Sequence, residues 1–318
     1  MKTLIIKEKR YLLRRGFLLK KWGIIALITV AVLGVTAVFN RAESDDVNKE
    51  KLNLLSPYSN KVDVYSITYP SDNLKIKGFL VQPKDIADKH YPLLVYNRGG
   101  NREHGMIRAK TLQYLSYWAS KGYVVVATQY RGNGGSEGTE TYGGKDIDDV
   151  LNLIKWGEQL PYVNHQQKVA LGYSRGGMMT YLTMKNGVKF DAVVVQSGIT
   201  DMFQFYDQRG PEMKQVLRTI VGDPAQYPER YKSRSVVYWS DKVNSPLLIL
   251  QGDHDRKVHH TQAEKLVKQL DEQGKEYKYV LYKNGDHPLT AYYDQYNAEI
   301  DKWFKVHLAK QERNWKQF

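Results

Sequence analysis

No cysteine occurs in the 318 residues. That absence excludes disulfides, thiolate metal sites and a cysteine nucleophile, but it identifies no compartment. There is no internal repeat and no low-complexity tract, so a repeat architecture is excluded and disorder is not the default. Nucleotide loops are missing too. In RGNGGSEG, Gly132 and Gly134 are not followed by glycine at 137, and no Gly-Lys-Ser/Thr follows. The sequence holds no recognition helix, zinc finger or RNA-binding aromatic motif. The formal charge is +13, but eight basic residues fall within 1–40 against Glu8 alone. The remainder carries 39 basic and 33 acidic residues, a mild excess over a large surface that does not argue for a nucleic-acid partner.

Charge is absent from WGIIALITVAVLGVTAVF, residues 22–39. A helix of that length spans about 27 Å, close to the hydrocarbon core of a bilayer. Lys and Arg cluster in 1–21, and Glu43, Asp45 and Asp46 follow the apolar run. The segment therefore reads as a single transmembrane anchor with a cytoplasmic N-terminus and an extracytoplasmic main domain. Signal cleavage after the small residues near Val35-Thr36-Ala37, releasing the domain, is an alternative, as is a buried core helix. The long basic segment and the all-round apolar surface favour the retained anchor. Residues 40–61 are polar and irregular and read as a tether to a domain covering 62–310.

Within that domain, 62–70 and 74–83 alternate apolar and polar residues around a short polar turn, the pattern of an antiparallel hairpin. PLLVYN (92–97), GYVVVATQY (122–130), KVALGY (168–173), FDAVVVQSG (190–198) and PLLILQGD (246–253) are apolar runs suited to strands buried on both faces. A further strand is expected in 276–287. Helical spacing occupies 110–121, 147–160, 174–185, 261–273 and 292–308. Strand and helix in alternation predict a mostly parallel sheet with helices on both faces. Functional groups in such a sheet lie beyond the carboxyl ends of the strands.

Two stretches fit Gly-x-Ser-x-Gly: GGSEG (134–138) and GYSRG (172–176). Only Ser174 lies between a strand and a helix, the setting of a nucleophile elbow. Ser136 sits in a long glycine-rich loop with no helix until about 146. A nucleophilic serine needs a base, and the base an orienting acid, in the chain order Ser, Asp or Glu, His. Past Ser174, Asp253 and Asp255 follow a strand, with Asp255 beyond the sheet edge, and His287 stands in a later turn. His90, His104 and His165 precede Ser174, and His307 reads as a surface residue of the last helix. His254, His259 and His260 read as rim histidines in preference to a metal site, since they lack a ligand pair on one helix face. Arg131 is expected to pair with Asp146, Asp148 or Asp149.

With YNRGGN (96–101), YRGNGGSEG (130–138), GYSRGGMMT (172–180), GDPAQYPERYKSRS (222–235), PLLILQGDHDRKV (246–258) and GDHP (285–288) in this order, the sequence resembles the catalytic domain of the prolyl oligopeptidase family. The resemblance covers about 62–308. It implies an α/β-hydrolase fold with Ser174 as nucleophile, Asp255 as orienting acid and His287 as base. The oxyanion donors are expected at the N–H of Arg175 and of Arg98 or Gly99. No cofactor or metal is implied. Two departures stand out. The family commonly carries a β-propeller ahead of this domain, and here only the tether precedes it. Many members also place a tyrosine before the paired glycines of the oxyanion loop, where this chain has Arg98.

A peptidase acting on peptides outside the cytoplasm is the leading expectation. A carboxylesterase acting on a small acyl substrate is the rival, because one triad serves both reactions. A non-catalytic binding module is a third reading, disfavoured by a complete set of Ser, Asp and His in order. Residues 199–245 are expected to wall the substrate site, and their aromatics and charges lean towards peptides. The sequence does not define an oligomeric state.

Overall fold

In a computed structural model, residues 47–315 other than Asp88 are described. The expected anchor at 22–39 lies outside them. Among the described residues no helix is long and apolar enough to cross a membrane.

The strands are β1 (Asn48–Leu52), β2 (Val62–Ser71), β3 (Leu74–Pro83), β4 (Tyr91–Asn97), β5 (Val124–Thr128), β6 (Val163–Tyr173), β7 (Ala192–Gln196), β8 (Leu247–Gly252) and β9 (Tyr277–Tyr282). They form one sheet in the order β1-β2-β3-β5-β4-β6-β7-β8-β9. β1, β2 and β3 pair antiparallel, and β3 joins β5 antiparallel. From β5 to β9 every pairing is parallel. The hairpin expected at 62–83 is present. Asp72 and Asn73 at its turn both have positive φ, as a two-residue type I′ turn requires.

One expectation needs correction. The stretch read as a tether contains β1, which pairs with β2 from Asn48↔Thr68 to Leu52↔Val64. NKEKL is too short and too charged to read as a strand by periodicity. Its backbone pairing with a neighbour places it on the edge, where lysine discourages further pairing.

The helices are α1 (Ala109–Ser120), α2 (Asp146–Glu158), α3 (Arg175–Lys185), α4 (Met202–Gln208), α5 (Pro211–Ile220), α6 (Pro228–Lys232), α7 (His260–Glu272) and α8 (Tyr293–Trp315). α1 and α8 share one face of the sheet. Trp118 meets Phe304 edge to face at 5.8 Å, over a core that includes Leu94, Val125, Val194 and Leu250. α2 and α3 cover the other face: Gly157 lies on Leu93 and Val126, and Gly177 on Val195. Strand residues of alternate parity thus feed two cores, which is why these strands read as unbroken apolar runs.

His307, expected on the surface, is buried. Its Nδ1 lies 2.8 Å from Trp303 O and its Nε2 3.2 Å from Glu276. α8 continues to Trp315, so His307 stands inside the helix against the start of β9 and not at a fraying end.

The direction of crossover changes at β4, with β5 on one side and β6 on the other. The crevice beyond the carboxyl ends of β4 and β6 is therefore where chemistry is expected. Phe304→Ala should lower unfolding stability by about 3–5 kcal/mol. An unchanged urea midpoint would remove α8 from the common core.

Candidate active site

β6 ends at Tyr173 and α3 begins at Arg175, so Ser174 is the single residue of the turn between them. Its φ of 56° and ψ of −120° are outside the ordinary range for a residue with a side chain. Its N–H donates to Gln196 O at 2.9 Å, and its carbonyl accepts from Gly177 N at 2.9 Å. The turn is possible because the first turn of α3 runs against the end of β4. A Cβ on Gly176 would stand 1.8 Å from Asn97 O. Gly99 is similarly pressed on the turn: a Cβ there would lie 3.1 Å from Ser174 Cβ and 3.0 Å from Tyr173 O. The sequence motif thus brings the 98–100 loop against the serine.

The loops after β8 and β9 supply the partners. Ser174 Oγ is 2.9 Å from His287 Nε2, and His287 Nδ1 is 2.7 Å from Asp255 Oδ2. Asp255 and His287 are both buried. The other carboxylate oxygen of Asp255 accepts from the N–H groups of Lys257 and Val258, at 2.8 and 3.0 Å, while Gln251 Nε2 donates to Oδ2 at 3.0 Å. Burial opposes this charge, but hydrogen bonds from His287, Val258 and Lys257 prevail and hold the carboxyl below its usual range. A carboxylate on that side assigns the proton to Nδ1, which leaves Nε2 to accept from the Ser174 hydroxyl. The His287 backbone is fixed as well, since Ser197 Oγ donates to its carbonyl at 2.7 Å.

The other expectations are separated by geometry. Asp253 faces the exposed His254 at 2.8 Å and has no contact with His287. Ser136 Oγ accepts from Lys77 N at 2.9 Å, at the β3 side of the glycine-rich loop. His259 caps α7 by accepting from Thr261 N and lies 4.4 Å from the ring of His260, which pairs with Glu264; among the described residues no three His, Asp or Glu side chains group as metal ligands. Of the three acids considered for Arg131, Asp149 is the partner, at 2.7 Å, and Asp72 on the hairpin turn joins it at 2.9 Å. Residues 199–245, expected to wall the substrate site, contain α4, α5 and α6. Asn101 Nδ2 meets Met213 Sδ at 3.4 Å, which joins α5 to the loop after β4.

Arg98 contributes differently from what its position suggests. Its guanidinium turns inward, donating to Gln129 O at 2.7 Å and Gly99 O at 3.0 Å, and has no contact with Ser174. Burial, reinforced by the neighbouring Arg175, brings its pKa down to about 10. Backbone groups of Arg98 and Gly99 remain the part of that loop able to serve the serine.

The side chain of Arg175 is a feature the motifs do not reveal. It is fully buried, paired with Glu140 and Asp146, and it donates to Gly100 O at 3.1 Å. Its guanidinium stands 4.8 Å from the centre of the Tyr130 ring and 4.6 Å from that of Tyr142. The second oxygen of Glu140 accepts from Arg102 N at 2.9 Å. Arg175, the residue after Ser174, is thus tied directly and through Glu140 to both ends of the 100–102 loop. The only sequence trace of this network is the acidic run 146–149.

The sequence profile of the prolyl oligopeptidase family matches residues 110–311. The chain is 34% identical over 226 residues to the uncharacterized peptidase YtmA of Bacillus subtilis, covering 70% of this chain and 85% of that one. It is 29% identical over 276 residues to a probable dipeptidyl-aminopeptidase B of Aspergillus niger, covering 77% of this chain and 30% of that one. Among solved structures it is similar to uncomplexed Pyrococcus horikoshii acylaminoacyl peptidase. There the TM-score is 0.63 at 21% identity, covering 81% of this chain and 41% of that one, a likeness of fold. The fold is that of the α/β-hydrolases.

Burial opposes the charge of Asp146 too, but Arg175 and the Thr141 hydroxyl hold its carboxyl low. Asp146 and Asp255 therefore bind fewer protons in the folded chain than in the unfolded one, whose carboxyls titrate near about 3.9. Their stabilisation is complete above that value and is lost as pH falls through the folded values. Urea midpoints should fall as pH drops below about 4. The drop should be shallower in Asp255→Asn; an identical slope would remove that link.

Proposed function

Because the chain belongs to the prolyl oligopeptidase family of serine peptidases, we propose that Ser174, His287 and Asp255 hydrolyse peptide bonds through an acyl-enzyme. The observation that carries this reading is the chain of contacts from Ser174 Oγ through His287 to the buried Asp255, at 2.9 and 2.7 Å. His287 Nε2 takes the hydroxyl proton as Ser174 Oγ attacks the carbonyl carbon. Asp255 stabilises the imidazolium and fixes the ring. The N–H of Arg175 heads α3 and is among the groups with no intrahelical acceptor, so it donates to the developing oxyanion. An N–H of the 98–99 loop donates the second hydrogen bond. His287 then passes its proton to the leaving amine, and water, activated by the same imidazole, releases the acyl group.

The uncharged run 22–39 and the basic segment before it support an anchored enzyme whose catalytic domain lies outside the cytoplasm. An anchored chain should sediment with membranes and resist carbonate extraction; a soluble chain beginning near Val38 would show a cleaved leader instead.

Ser174→Ala and His287→Ala should lose nearly all turnover, and Asp255→Asn about 10⁴-fold in kcat. Matched amide and ester substrates, with Ser174→Ala as blank, decide the reaction. Amide hydrolysis that persists in Ser174→Ala would sink the assignment. Ester hydrolysis without amide hydrolysis would make the protein a carboxylesterase, in keeping with an oxyanion loop where Arg98 replaces tyrosine and turns inward.

A further inference from the structure

A pocket of about 480 Å³ lies beside His287, on the face of the sheet covered by α1 and α8. Its lining includes Tyr58, Tyr114, Tyr117, Tyr173, Tyr293 and Tyr296. Successive turns of α1 build one wall, since Lys110, Gln113, Tyr114 and Tyr117 recur at helical spacing. The segment after β1 builds the outer wall. Gln113 Nε2 donates to Leu55 O at 2.9 Å, and Tyr58 meets Tyr117 at 6.0 Å between ring centres. Burial first of all holds the hydroxyls of Tyr114, Tyr173 and Tyr296 well above their usual pKa, so these walls are uncharged at neutral pH. Lys110 is the one ionic residue of the lining, is exposed, and forms no ion pair among the described residues.

The position of the pocket relative to the imidazole selects its occupant. Pro288, directly after His287, is part of the lining, and so is Gln196, whose Nε2 donates to Pro288 O at 2.8 Å. Tyr173 lines it from the other side while its ring lies 5.2 Å from the His287 ring. In the reaction proposed above, His287 Nε2 is the atom that hands a proton to the departing amine. The fragment on the amine side of the scissile bond is released on the imidazole side, next to this mouth. Tyrosine surfaces bind aromatic and apolar groups by edge and face contact, and a lone ammonium at the rim binds a carboxylate. The volume lies within the roughly 300–1,000 Å³ typical of small-ligand sites.

We infer that this pocket receives the leaving fragment, an amino acid or short peptide carrying an aromatic side chain, with its terminal carboxylate at Lys110. The inference rests on the acyl-enzyme reading and extends it to the substrate residue after the cleaved bond.

Interception of the acyl-enzyme tests the pocket even where amide hydrolysis is slow. An ester substrate acylates Ser174, and alanine, phenylalanine or phenylalaninamide is added at equal concentration. The amine nitrogen attacks the acyl carbonyl, its proton passes through His287 to Ser174 Oγ, and the new amide leaves. Chromatography gives the ratio of amide to hydrolysed acid. In the wild-type enzyme phenylalanine should be captured about tenfold better than alanine. Lys110→Gln should narrow the preference for phenylalanine over its amide by about threefold. Tyr293→Ala should reduce the preference for phenylalanine over alanine. Equal capture of alanine and phenylalanine, or an acid preference unchanged in Lys110→Gln, overturns the pocket while leaving the acyl-enzyme standing. Failure to acylate Ser174 overturns both.

Discussion

The carboxyl end of the sheet depends on one backbone contact, the approach of the first turn of α3 to the end of β4. At Gly176 it is close enough to exclude even a methyl group, by a margin no side-chain shift could absorb. That contact does two things at once. It forces Ser174 into a conformation with positive φ, which lifts the hydroxyl out of the strand line, and it places the loop that continues β4 beside the serine. Parallel pairing of β4 with β6, in register from Leu93↔Lys168 to Asn97↔Gly172, sets the height at which the two chain ends meet. The site is thus a consequence of sheet register, and backbone strain at Ser174 is sustained by the surrounding packing.

Electrostatics holds this arrangement from behind. Arg98 and Arg175 both stand by the Tyr130 ring, at 5.0 and 4.8 Å from its centre, and both are buried. Two guanidinium groups in such surroundings would repel and carry a large desolvation cost if left alone. Glu140 and Asp146 both pair with Arg175, while carbonyls of Gly99 and Gln129 take donors of Arg98 and that of Gly100 takes one of Arg175. The network supplies position more than potential: charge for charge it is neutral. Removing Arg175, Glu140 or Asp146 would leave a buried ion without a partner, which is the costly case for such groups. Arg131 with Asp149 and Asp72 repeats the device at the next loop, tying the hairpin turn to α2.

Much of this was legible in the sequence because its causes are local. A strand buried on both faces must be apolar throughout, so β5, β7 and β8 announce themselves. An elbow must be short and glycine-flanked, and chain order limits the acid and base to a few residues. The choice between Asp253 and Asp255 also followed from distance beyond the strand, and the hydrogen bonds from Lys257 and Val258 give it a cause. What escaped reading depends on partners far away in sequence. β1 is a strand only because β2 offers an edge. His307 is buried only because β9 starts beside it. Arg175 looked like an ordinary elbow residue, since Glu140 reaches it from a loop whose course no periodicity describes and Asp146 from the head of α2. The tyrosine pocket escaped for the same reason: its walls come from segments near 58, 114, 173 and 293 that share no motif.

The inward turn of Arg98 bears on how an oxyanion would be held here. A cation aimed at the oxygen would stabilise the ground-state dipole as well as the tetrahedral anion, and only the difference between them accelerates the reaction. With the guanidinium committed to backbone carbonyls, the proposed reaction leaves the oxyanion to amide N–H donors. Those donors are fixed by α3 and by the 98–100 backbone, so they need no reorganisation as charge develops. The helix adds a modest positive potential at its first turn, where Arg175 sits. Arg98 braces the loop, because each of its hydrogen bonds ends on the backbone of that loop or of the segment beneath it. A tyrosine hydroxyl at the same position would have to face the serine to contribute, and would surrender that internal brace.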